Sequence, residues 1–227
     1  MCGRFGLWAG PSQIEKHFQV SIPLSLPLRY NIAPSQEIPT VRASRSGERE
    51  LAMLRWGLIP FWAKDKSSSY KMINARADTV FSKPAYKAAI RRRRCLIPAS
   101  AFFEWKRGEG GKQPYLVRVR GVELFAMAGL WERWESSETD EVVESCAILT
   151  TWPNTVIAEV HDRMPVILQP ESYELWLGPA IQDSGKISAL LQPFPDKHSM
   201  FHPISREVNN PANDSPSVIR PVEEKES

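Results

Sequence analysis

Residues 94–105 read RCLIPASAFFEW, and how this stretch folds decides the architecture around it. Apolar and aromatic side chains run almost without interruption, and Pro98 sits where neither a helix interior nor a central ladder accepts it. The stretch is therefore expected to be a strand interrupted at Pro98. Working outward, 51–59 (LAMLRWGLI), 114–120, 123–131 and 145–151 also read as strands. Helical signals are fewer. PSQIEKHF at 11–18 and PESYELWLG at 170–178 start on proline, while KPAYKAAIRRR at 83–93 has apolar spacing and a basic end. Nineteen prolines keep the elements short, and there is no internal repeat. Short strands with helices inserted between them predict an α+β fold. We expect a single domain over 1–208, built on a curved, barrel-like antiparallel sheet, with 209–227 as a disordered tail rich in Asn, Pro, Ser and Glu.

Composition narrows the function. With 227 residues and 42% hydrophobic content the chain can bury a substantial core. It has no apolar run long enough to span a membrane and no basic-then-apolar leader, so a cytoplasmic protein without membrane association is expected. Cys2, Cys95 and Cys146 suggest no disulfide framework, and no Cys/His spacing suits zinc, so neither metal nor cofactor is expected. Charge is segregated. Residues 132–145 carry −5 and 221–227 carry −2, so the overall +3 leaves +10 on the rest, including Arg91 to Arg94 in a row. A basic body suits a polyanionic partner, although four arginines in a row are also a common solvated helix end.

Five places could carry chemistry or contacts. Cys2 follows only the initiator methionine, whose removal would put an amine and a thiol on adjacent carbons. Their ordinary pKa values, about 8 and about 8.5, leave a useful fraction of each deprotonated near neutrality. Such a pair condenses with an aldehyde to an imine and closes to a five-membered thiazolidine, whereas a lysine stops at the Schiff base. An inert terminus and an acyl-transfer nucleophile remain open at this point. In MINARAD, Asn74, Arg76 and Asp78 share one face of an extended segment. Asn74 could orient an amine or a sugar oxygen, and Arg76 could fork onto phosphate. In PASAFFEWK, alternation puts Glu104 on the face of Phe102, either at an exposed edge or partly desolvated, and desolvation would lift its pKa toward neutrality. In EVHDRMP, His161 stands beside Asp162 and Arg163 as a proton shuttle or a plain surface turn. Phe61 and Trp62, followed by Lys64 and Lys66, could stack bases or cap the core.

The order of these blocks resembles the SRAP (SOS response-associated peptidase) family. The resemblance rests on MCGRF (1–5), YNIAPSQ (30–36), RWGLIPFW (55–62), INARAD (73–78), CLIPASAFFEWK (95–106), AMAGLWE (126–132), ILTTWPN (148–154), HDRMPVIL (161–168) and HPISREVNN (202–210). It implies covalent capture of abasic sites in single-stranded DNA, by a monomer associated with the nucleoid when bound to DNA. Cys2 would form the thiazolidine and Asn74 would orient its amine and the sugar. Glu104 would act as general acid and base, and His161 would assist ring opening and reversal. Arg4, Arg76 and Arg163 would lie near phosphates, and Trp62 would wedge between bases. Strand cleavage by β-elimination is an expected side activity. The main rival is an N-terminal-nucleophile enzyme, either an amidohydrolase whose Cys2 amine serves as base for the thiol or a thiol peptidase with Cys2, Glu104 and His161 as a triad.

Overall fold

The stretch at 94–105 forms two strands, and the break falls at Ser100 rather than at Pro98. In the computed structural model, which describes residues 2–22, 25–108 and 111–222, the strands run in order. They are β1 (Phe5–Leu7), β2 (Arg29–Ile32), β3 (Glu37–Ala43), β4 (Arg49–Trp56), β5 (Asn74–Arg76), β6 (Arg94–Ala99) and β7 (Ala101–Gly108). After these come β8 (Gly111–Val119), β9 (Phe125–Glu135), β10 (Val142–Thr151), β11 (Met164–Pro165), β12 (Ile167–Leu168) and β13 (Ser199–Pro203). The helices are α1 (Pro11–Phe18), α2 (Ala89–Arg92), α3 (Thr155–Ala158), α4 (Tyr173–Leu177) and α5 (Ser184–Ala189).

Pro98 stays inside β6 because it pairs only with Ala126 of β9. The register with β3 on the other side ends at Leu96, so no partner needs the missing N–H. At Ser100 the chain changes sheets. Its N–H donates to the Gly6 carbonyl (2.8 Å) and its hydroxyl accepts from the Trp8 N–H (3.1 Å). β6 belongs to one sheet and β7 to the other, so this single stretch ties the two layers together.

In the larger sheet β10, β4, β3, β6 and β9 pair in a ring, because β10 bonds to both β4 and β9. The barrel-like core expected from the sequence is therefore a closed five-stranded barrel. It is not antiparallel throughout, since β10 runs parallel to β4 and to β5. The second sheet has the order β13-β8-β7-β1-β2. Phe5 pins β1 into it, edge-on to the buried Trp56 at 5.2 Å between ring centroids. Aromatic burial on this scale is among the largest single stabilising terms in a core, which is why the first residues are held rather than frayed.

The helix expected over 83–93 shortens to α2, with turns over 84–88. The arginine row is divided among tasks. Arg94 is buried, with its guanidinium donating to the carbonyls of Ile90, Arg91, Trp176, Gly178 and Ile181. Arg93 pairs with buried Glu132, while Arg91 and Arg92 face solvent. The acidic stretch 132–145 is likewise bonded to the basic body, through Glu132, Glu141 to Lys66 and Glu144 to Arg42.

The disordered tail expected from Asn209 is not found over 209–222, and 223–227 lie outside the described residues. Asp214 accepts from the backbone N–H groups of Tyr30 and Asn31 and pairs with Arg29. Asn31 donates to the carbonyls of Val208, Asn210 and Asn213. Val208 and Val218 are fully buried with Ile204, Phe103 and Leu116 in a second small core. Polar composition misled here because the anchors are two buried valines and side chains that bond to backbone.

Candidate active site

Register brings the first residues to Glu104. β1 runs antiparallel to β7, with Phe5 opposite Phe102 and the Arg4 carbonyl accepting from the Phe103 N–H at 3.0 Å. Continuing that ladder carries Cys2 to the level of Glu104 and Trp105. Alternation along β7 sends Phe103 and Trp105 to the small core and Phe102 to the main one, and Glu104 takes the Phe102 side. Glu104 is only 1% exposed, so of the two environments open to a Glu among aromatics, an exposed edge or a desolvated site, it occupies the desolvated one. Burial pushes the Glu104 carboxyl up to about 7.

Cys2 is fully buried. Burial first, and the nearby Glu104 carboxylate second, push its thiol far above the ordinary range. The expectation of a partly ionised thiol near neutrality is thereby corrected, because the resting group is a neutral S–H that needs a base. Asn74 enters from β5, whose parallel pairing with β10 places Asn74 opposite Ile148. Its Nδ2 donates to the Cys2 carbonyl at 2.9 Å, and its Oδ1 has no partner among the described residues. Tyr86 steadies this strand with a hydroxyl bond to the Asn74 carbonyl (3.1 Å).

His161 follows α3, with Nε2 lying 3.7 Å from Glu104 Oε2. Nδ1 accepts from the Arg163 N–H at 3.1 Å and faces exposed Asp162 at 2.9 Å. Burial holds its pKa below the ordinary histidine value. Cys2, Asn74, Glu104 and His161 are thus gathered in one place, from β1's leading end, β5, β7 and the loop after α3.

The three arginines differ. Arg76 is half exposed and forked onto Asp78 (2.6 and 3.1 Å), beside Asn74 on the same strand face. Arg163 is buried and bonded to the carbonyl (2.6 Å) and hydroxyl (3.2 Å) of Thr150. Arg4 donates to Asn31 Oδ1 (2.7 Å) and the Val208 carbonyl (2.6 Å), so it also fastens the C-terminal segment. Trp62 is 57% exposed on the loop after β4. That loop is bonded to the β9–β10 hairpin through Trp134 Nε1 to the Ala63 carbonyl. Sequence reasoning missed Trp152, whose exposed ring lies 5.2 Å from the Arg163 guanidinium and 6.0 Å from that of Arg76. An exposed aromatic at a strand end leaves no periodicity signal that could have singled it out.

A two-sheet α+β protein with a buried N-terminal cysteine beside a neutral-range carboxyl defines a narrow class. The sequence profile of the SOS response associated peptidase (SRAP) matches residues 1–211, and the chain belongs to that family. It is 42% identical over 223 residues to the abasic site processing protein YoqW of Bacillus subtilis (strain 168), covering 96% of this chain and 99% of that one. It is 32% identical to the abasic site processing protein HMCES of Gallus gallus, over 86% of this chain and 66% of the relative. A crystal structure of a protein from Bacteroides thetaiotaomicron superimposes with a TM-score of 0.89 at 28% identity, covering 97% of this chain and all of that one. Among the described residues no helix is long and apolar enough to cross a membrane.

Proposed function

We propose that this chain processes abasic sites in single-stranded DNA by covalent capture on Cys2. Removal of Met1 frees the Cys2 amine, which otherwise is an amide. The amine adds to the C1′ aldehyde of the ring-opened sugar, and the carbinolamine loses water to give an imine. The sulfur then adds to the imine carbon while the thiol proton passes to nitrogen, closing a thiazolidine with net release of one water. Glu104, poised at about 7, can donate a proton to the departing hydroxyl and later take one from the thiol. His161, held neutral by burial, can accept the proton released on sugar ring opening. Loss of the 3′ phosphate from the imine by β-elimination is a slow side path, and reversal runs the same steps backwards.

The observation that carries this reading is the grip of Asn74 on the Cys2 carbonyl at 2.9 Å beside the buried Glu104 carboxyl. It holds the one residue that owns both an amine and a thiol, which a triad peptidase would not need. The names of the relatives and the +10 carried outside the acidic segments point the same way. Strand affinity without base reading suits a target that lacks a base. The chain acts on this reading as a monomer, among DNA in the cytoplasm or nucleoid.

Mixing the Met1-free chain with single-stranded DNA bearing one abasic site should give a species that survives SDS and heat. Cys2→Ala, or one extra residue before Cys2, should abolish it. Equal crosslinking by the extended chain would overturn the thiazolidine.

A further inference from the structure

Trp152 lies beside Arg76 and Arg163 and is among the exposed large hydrophobic residues of the described chain. The residue is 59% exposed, yet the backbone on either side of it is tied down. It follows directly on Thr151, the end of β10, and precedes Pro153, which restricts the residue before it to extended geometry. Beyond Pro153, Asn154 caps α3 by accepting from the Ile157 N–H (2.9 Å). The same side chain donates to the Phe194 carbonyl and Ser199 hydroxyl, both at 2.7 Å. An exposed indole on a rigid mount costs solvation without gaining core packing.

Its neighbours tie it to the reaction. Arg163, whose N–H fixes His161, lies 5.2 Å from the ring and is anchored to Thr150, so it cannot swing away. Arg76, 6.0 Å from the ring, stands two residues from Asn74 on one strand face, a separation of roughly 7 Å. That is about the span of one stretched nucleotide, so an indole just beyond Arg76 sits where the residue next to the abasic sugar would be.

We propose that Trp152 is a stacking platform for the nucleobase adjacent to the abasic sugar, with Arg76 facing the phosphate between them. A missing base leaves its neighbour with an uncovered π face, which an exposed indole can cover irrespective of sequence. Trp152 is thus a positioning residue that fixes the register of the strand over Cys2, and the inference rests on the DNA reading above.

The test separates stacking from covalent chemistry by using a tetrahydrofuran analogue, which has no aldehyde, flanked on one side by 2-aminopurine. Trp152→Ala should weaken binding of this oligonucleotide about five- to a hundredfold and lose the quenching of 2-aminopurine that the native chain produces. Trp152→Phe should restore most of both. On an analogue whose flanking bases are also removed, native and Trp152→Ala chains should bind alike. Equal binding and quenching by native and Trp152→Ala chains on the flanked analogue would overturn the platform, as would an equal loss on the base-free one. Binding of the analogue with Trp-dependent quenching, but no adduct on the true abasic strand, would leave the platform standing and sink the Cys2 chemistry.

Discussion

Glu104→Gln probes the one group whose burial is essential to the chemistry. The carboxyl rises from its ordinary 4.5 to about 7 because it is buried within β7. Below the ordinary glutamate range both folded and unfolded chains hold Glu104 protonated, and its contribution to stability is intact. As pH climbs, the unfolded chain ionises first, and the folded chain loses stability until pH passes about 7. The displacement amounts to at most about 3 kcal/mol. Glutamine mimics the protonated form at every pH. Native and variant chains should therefore melt together near pH 4. By pH 8.5 the variant should be the more stable by up to about 3 kcal/mol, some 6–12 °C in Tm for a chain of this size. Over the same range the variant should crosslink abasic DNA about a hundredfold or more slowly, as expected when a positioned acid and base is lost. Thermal melts across pH, paired with single-turnover gel assays, read both effects. Parallel stability curves would refute the raised carboxyl, and an unchanged crosslinking rate would remove Glu104 from proton transfer.

Two further outcomes follow from the contacts. Asn74→Ala removes the bond to the Cys2 carbonyl and should slow adduct formation tenfold to a hundredfold, while melting shifts by no more than about 1 kcal/mol; equal rates by gel would dismiss the orienting role. Ending the chain at Val208 removes Asp214 and Val218 and strips bonds from Asn31, so urea melts should show a loss of several kcal/mol; a truncated chain as stable as the full one would return this segment to the status of a dispensable tail.

Much of the site could be read from the chain because its signals are local. Alternation along 101–105 is enough to turn Glu104 inward, and an N-terminal cysteine has only a few chemistries open to it. Helix α1 was legible to the residue, because Pro11 opens it at a first-turn position. What failed was non-local. No pattern within 142–151 reveals that β10 finds parallel partners in β4 and β5, some 75 to 90 positions earlier. Nothing in NNPANDSPSVI announces that an aspartate will bond to backbone N–H groups at 30 and 31. The resemblance expects Arg4 and Arg163 near phosphates, and their bonds to carbonyls of distant residues could be seen only in the tertiary structure.

The bond from Arg4 to the Val208 carbonyl joins two points 204 positions apart. During translation the thiol emerges almost first, and Asn74, Glu104 and the clasp at Val208 follow in that order. The surroundings of Cys2 are therefore complete only once nearly all of these elements have been made.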